Sequence, residues 1–165
     1  MSKEKYIIIG GVAGGATTAA RIRRINEDVE IILFEKGDYI SYANCGLPYY
    51  IGGVISEREK LFLQTPESFG LRFNIDVRVH SEVISIDRDS KEVVVRSKSG
   101  EEYKEKYDKL LLSPGAAPVR PSFPGIDLDG IFTLPNLNDT HAIKNYMYTH
   151  SLKKAVVVGA VFILL

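Results

Sequence analysis

Apolar residues fall in short bursts along the chain, not in long stripes. Tyr6 to Gly10 is an isoleucine-rich run closed by glycine, and Glu30 to Glu35 (EIILFE) and Lys109 to Ser113 (KLLLS) have the same character. Uninterrupted apolar runs of this length predict parallel strands buried on both faces. Ala13 to Ile25 combines small residues with strong helix formers and predicts a helix. It is entered through a tight turn, Gly10-Gly11-Val12-Ala13-Gly14-Gly15. Lys154 to Gly159 (KAVVVG) repeats the opening strand.

Elsewhere the pattern changes. Lys36 to Phe73 is irregular, with Gly and Pro throughout, and predicts only a short helix just after Cys45. Val77 to His80, Glu82 to Asp87 and Val93 to Ser97 read as strands of a small antiparallel meander, with turns at DRDSKE (87–92) and KSGEE (98–102). Pro114 to Gly125 is rich in Pro and Gly and reads as a crossing between domains. Asn138 to about Tyr148 predicts a helix capped by Asn138 or Asp139. The fold class is α/β, Rossmann-like, with a small antiparallel β-meander.

Composition narrows the function. The chain has 165 residues, 45% hydrophobic and 25% charged, enough for a real core. Lys+Arg and Asp+Glu both number 21, which leaves no footprint for nucleic acid or an anionic membrane. The N-terminus lacks the features of a signal peptide. The longest apolar run, Ala155 to Leu165, is 11 residues and well short of a span. The chain is therefore expected to be cytoplasmic. A single cysteine forms no internal disulfide, so Cys45 is either a buried thiol or a reactive one. No zinc-ligand spacing occurs.

The glycine-rich turn carries the first chemistry. A strand–turn–helix–strand unit of about 30 residues is the size of a dinucleotide-binding half-fold. Gly10 suits the sharp exit from the strand and Gly15 suits close packing of the helix on the sheet. Gly14 adds backbone freedom, while Val12 stands where the second glycine of the usual fingerprint falls. Glu35 follows Gly10 by 25 residues, at the end of the second strand, where a carboxylate accepts from ribose hydroxyls. The turn alone leaves FAD and NAD both open, and a glycine turn without a ligand remains the plain alternative. Cys45 sits in SYANCGLPYYIGG, among small, polar and aromatic residues. A thiol near a helix N-terminus gains thiolate character, and with no second cysteine its chemistry would run through a mixed disulfide or a sulfenic acid.

VAGGATTAARIRRI, ILFEKGDYISYANCGLPYYIGG and LLLSPGAAPVRPSFPGI resemble, in order and spacing, the coenzyme A-disulfide reductases and the NADH-dependent persulfide reductases. Both are single-cysteine FAD-dependent pyridine nucleotide-disulfide oxidoreductases. The resemblance implies that Gly10, Val12, Ala13, Gly14 and Gly15 line the FAD pyrophosphate and that Glu35 and Lys36 hold the adenosine ribose. It implies that Val83 offers its backbone to the adenine, that Ser113 and Gly115 close the first FAD segment, and that Cys45 is the nucleophile. Thr17, Arg21 and Arg24 share one helix face, suited to coenzyme A phosphates, and Ser41 and Asn44 would hold the pantetheine arm. The plain alternative for the arginines is a solvated face, since Arg23 is there too. Residues 1–115 would be the first segment of the FAD domain, and 116–165 the crossing and the stub of the NAD-binding domain. The full enzyme would use NAD(P)H to reduce a small disulfide or persulfide, as a homodimer. A rival reading is an NADH oxidase or peroxidase that cycles Cys45 through sulfenic acid, although Ala13 stands where such relatives often carry a histidine. A second rival is a nucleotide-binding module without turnover.

The likeness fails at the end. After the second glycine strand, VVVGAVFILL places Val161 and Leu164 where the next two glycines belong. The expectation is a truncated chain, without the NAD site, the later FAD segment or the interface domain, and not catalytically complete alone.

Overall fold

The structure is a computed structural model and describes residues 3–159. Val161 and Leu164 lie outside the described residues. The chain forms two compact units, Met1–Tyr42 with Phe62–Gly115, and Ala43–Leu61 with Ala116–Leu165.

The first unit opens with β1 (Lys5–Ile9), α1 (Ala13–Ile25) and β2 (Glu30–Phe34), as the sequence predicts. Ile7, Ile8, Ile32 and Leu33 are wholly buried. Burying such a side chain contributes roughly 1.5–3 kcal/mol. Alternation divides the strands between two layers. Ile8, Ile31 and Leu33 face Ala16, Ala19 and Ala20 of α1, whose small side chains let the helix lie close to the sheet. Ile7, Ile32 and Phe34 face the other way.

The second unit takes up the chain at Ala43. It contains a 3₁₀ turn at Asn44–Gly46, the short helix α2 (Leu47–Ile51), and another 3₁₀ turn at Arg58–Leu61. The first unit then resumes with α3 (Pro66–Phe73), in a stretch whose sequence pattern is irregular. Thr65 caps α3 by a reciprocal bond with Ser68, Pro66 occupies the first turn, and Asn74 ends the helix in the left-handed region at φ 48°.

The strand expected at Val77 to His80 is β3 (Asp76–Arg78), and it is not part of the meander. It pairs in parallel with β2, matching Ile32 with Asp76 and Phe34 with Arg78. Ile75, Val77 and Val79 pack into the α1 side of the core, which fixes the assignment. The meander is β4 (Glu82–Asp87), β5 (Glu92–Arg96) and β6 (Glu102–Lys106). β6 replaces the misassigned strand, and only Tyr103 and Glu105 along it turn from solvent. β7 (Lys109–Leu112) completes a parallel sheet in the order β3-β2-β1-β7. The Rossmann-like α/β class with a small meander is thus present. Val93 and Val95 of the meander meet Ile7, Ile32 and Phe34 across the sheet face opposite α1.

Charge ties the edge of this layer. Lys5 Nζ lies 3.0 Å from Glu30 and 2.9 Å from Glu105, and Arg78 lies 2.6 Å from Asp76 and 3.0 Å from Glu105. Burial pushes the Glu105 carboxyl up, but the bonds from Lys5 and Arg78 outweigh it and hold it below the usual range.

In the second unit α4 (Leu137–Thr149) is capped by Asn136, whose side chain accepts from the Asp139 amide at 3.0 Å. The cap is not Asn138 or Asp139, because Leu137 and Thr140 are buried and belong inside the helix. Lys154 to Gly159, expected as a strand, is unpaired, and Val156 and Val158 are 89% and 86% exposed. A strand exists only by its hydrogen-bonded neighbour, and no described segment lies beside this one.

Candidate functional site

The turn from β1 into α1 is built by backbone contacts. Gly10 has φ 95°, and a Cβ on it would strike the Ser113 carbonyl; a Cβ on Gly15 would strike the carbonyl of Gly10. Ser113 at the end of β7 directs its hydroxyl at the carbonyls of Ile9 and Gly10, 2.9 and 3.0 Å away. Val12 leads into α1 without a side-chain cap, and no acidic residue stands in the first turn. The first N–H groups of a helix have no intrahelical acceptor, so this end suits a bound anion.

Glu35 is held beside that turn. One carboxylate oxygen accepts from Gly11 N at 2.8 Å, the other from Gly37 N at 2.7 Å. Each oxygen keeps a second lone pair, enough for a vicinal diol such as ribose. Gly10, Glu35, Lys36 and Val83 line one cleft together with Ile9, Phe34, Ser81, Glu82 and Pro114. Ser113 braces the cleft's floor, and Gly115, at φ 73°, has open space around it. The turn, the acceptor pair and the apolar wall from Phe34 and Val83 fit the pyrophosphate, ribose and adenine of a dinucleotide.

The arginines of α1 separate cleanly. Arg23 is buried, and its guanidinium donates to the carbonyls of Phe73, Glu27, Val29 and Asn74 at 2.6–2.9 Å. It joins α1 to α3 and has no free face. Thr17, Arg21 and Arg24 are exposed, on the side the helical spacing predicts. Arg24 lies 5.8 Å from the centre of the Phe73 ring, and Arg72 of α3 lies 5.3 Å from the same ring. Arg72 and Phe73 carry no sequence signal that places them beside α1; the cap at Thr65 marks only the start of α3.

Ser41 stands in the left-handed region at φ 48°. Its amide donates to Gly11 O at 3.0 Å and its carbonyl accepts from Leu63 and Gln64, so it is fixed against the glycine turn. In the second unit Asn44 and Cys45 are both exposed, within the 3₁₀ turn that runs into α2. The neighbouring Leu47 and Tyr50 are 2% and 8% exposed. The thiol is therefore presented to solvent by a buried support, which removes the inert-core reading of Cys45. Asn44 accepts at its backbone carbonyl from Leu47, within the turn.

The sequence model of the pyridine nucleotide-disulphide oxidoreductases matches residues 4–163. The chain belongs to that family. Within this oxidoreductase family, it is 47% identical over 160 residues to the coenzyme A disulfide reductase of Staphylococcus haemolyticus, covering 96% of this chain and 36% of that relative. Among solved structures, the reduced CoADR-RHD of Bacillus anthracis superposes with a TM-score of 0.88 at 52% identity, over 92% of this chain and 28% of that one. A NAD-dependent persulfide reductase from A. fulgidus superposes with a TM-score of 0.83 at 35% identity, over 88% and 27%. The chain thus spans about a third of the curated relatives it matches. No helix among the described residues is long and apolar enough to cross a membrane.

Proposed function

We propose that this oxidoreductase chain forms the FAD-binding and cysteine-bearing part of an enzyme that reduces coenzyme A disulfide, or a related persulfide, with NAD(P)H. The observation that carries the reading is Glu35, fixed by two backbone N–H groups beside an uncapped helix start. Gly10, Val12, Ala13, Gly14 and Gly15 would face the pyrophosphate, Glu35 and Lys36 the ribose, and Val83 the adenine. Residues 1–115 would be the first segment of the FAD domain and 116–165 would lead into the nicotinamide domain.

When bound, FAD supplies acceptance of hydride and delivery of electrons to sulfur. The chain's own chemistry is at Cys45. Its thiolate would attack one sulfur of the disulfide, forming a protein–coenzyme A disulfide while the other coenzyme A leaves as thiolate. Thr17, Arg21 and Arg24 would meet the substrate phosphates, and Ser41 and Asn44 would hold the pantetheine arm. The relatives named above support coenzyme A or a persulfide as substrate. A homodimer in the cytoplasm is the assembly we infer.

Two readouts test this. Absorbance of the purified chain should show flavin bands that Glu35→Ala reduces at least tenfold in retained flavin; equal retention removes Glu35 from the site. Incubation with coenzyme A disulfide should add one coenzyme A to Cys45 by mass. An unmodified chain would overturn the role of Cys45.

A further inference from the structure

Cys45 stands at the head of a short helical run, residues 44–51, in the second unit. α2 has only five residues and ends at Gly52-Gly53. An isolated helix of that length does not hold itself in water, and two glycines after it add freedom. Its fixation must come from outside. At the near end Gly46 lies against Leu61, which is wholly buried; a Cβ on Gly46 would come within 2.8 Å of that side chain.

The far end is held by α4. The Lys144 ammonium donates to the carbonyl of Tyr50 at 3.0 Å and lies 3.5 Å from the centre of the Tyr50 ring. One cation thus adds a bond to a carbonyl at the negative end of the helix, which also accepts from Gly53 N at 3.3 Å, and stacks on an aromatic face. His141, one turn earlier on α4, meets the same ring edge-on at 6.0 Å. Tyr50 is gripped on its ring and its carbonyl by one helix face. The 3₁₀ turn feeds α2 without a break, Leu47 N donating to Asn44 O, so the position of Tyr50 sets the direction of the rod that carries the cysteine.

We propose that Lys144 is a positioning residue for Cys45, acting through the Tyr50 carbonyl and ring to hold the α2 rod. This deepens the reading of Cys45 as the reactive thiol, but its test does not depend on that reading.

Cys45 is the single cysteine of the chain, so a nitroxide spin label attaches there without further substitution. The labelled full chain is compared with Lys144→Met and Lys144→Arg by electron paramagnetic resonance, with circular dichroism to confirm folding. Lys144→Met should at least double the mobile fraction of the spectrum, and Lys144→Arg, which keeps the charge and the stacking, should restore the original line shape. An unchanged line shape in folded Lys144→Met overturns the proposal. So does a change that Arg fails to reverse, since that marks general packing. If Lys144→Met does not fold, Tyr50→Leu removes the ring while keeping the carbonyl. It should raise the mobile fraction by an intermediate amount, and an unchanged spectrum again overturns the proposal. Failure of the unlabelled native chain to add coenzyme A at Cys45, with the spectrum still altered in labelled Lys144→Met, would remove the redox reading and leave the positioning intact.

Discussion

The turn at Gly10 and the turn at Cys45 are held in different proportions by backbone and by side chains. The first is made of backbone. Strand ends, glycines and a serine hydroxyl press on one another, and even the carboxylate beside it is fixed by main-chain N–H groups. The second leans more on side chains, through Leu47, Tyr50 and Lys144, although the Ala43 amide also donates to the carbonyl of Leu61 at 2.8 Å. A backbone-built cradle tolerates little change and offers a fixed shape for a cofactor that stays. A side-chain-built support can be tuned residue by residue.

The sharpest way to break the comparison is Gly15→Ala. The added methyl meets the Gly10 carbonyl, and the turn must open. We expect a loss of about 3 kcal/mol or more in chemical denaturation. A loss below about 1 kcal/mol would mean the turn is as adaptable as the cysteine loop. Arg23→Met comes next. It keeps the aliphatic stem and leaves four carbonyls without their donor, for an expected cost of about 3 kcal/mol. The same change at exposed Arg21 should cost under about 0.5 kcal/mol, and near-equal losses would erase the distinction between the two arginines.

Glu105→Gln is a smaller perturbation. The native carboxyl titrates below its ordinary value of 4.5, so its contribution is present above that value and lost as pH falls through the native one. The variant should lose about 1 kcal/mol at neutral pH and show a flatter decline in acid. A parallel decline in both proteins would mean that Glu105 does not report the acid transition of the sheet.

His141 gives the mildest effect, and it belongs to the cysteine-bearing unit. Burial, then the positive charges of Arg58 and Lys144, lower its pKa from 6.5. The unfolded chain therefore takes up a proton before the native one does, and stability falls as pH drops below about 6.5. His141→Gln should remove that slope and leave the alkaline side unchanged. An identical slope in the variant would exclude His141 as its source.

Much of the first unit was legible because its apolar runs are short, continuous and bounded by glycine. The strand at Asp76–Arg78 was legible as a strand but not as to partner, since Val77 and Val79 read equally well in a meander or under a helix. β6 escaped notice because little but Tyr103 marks its inner face. α3 carried a readable cap at Thr65 that the density of Gly and Pro around it concealed. The strand expected at Lys154 failed for a different reason, as apolar character says nothing about whether a neighbour is there to pair. At the site, the turn and the position of Glu35 at the end of the second strand followed from local pattern, whereas the exposure of Cys45 did not, since the sequence left it either buried or reactive. The separation of Arg23 from Arg21 and Arg24 did not, because it depends on carbonyls some 50 residues away in α3.

Ser113 has a consequence in time. The hydroxyl that braces the carbonyl of Ile9 comes 104 residues later in the chain. At synthesis rates of ~5–20 residues per second, the glycine turn waits roughly 5 to 20 s after it is made before its last brace exists. Among the earliest segments to leave the ribosome, the glycine turn gains its last brace only near the end of the first unit, so under the proposed function FAD would meet a finished site only after that unit has been translated.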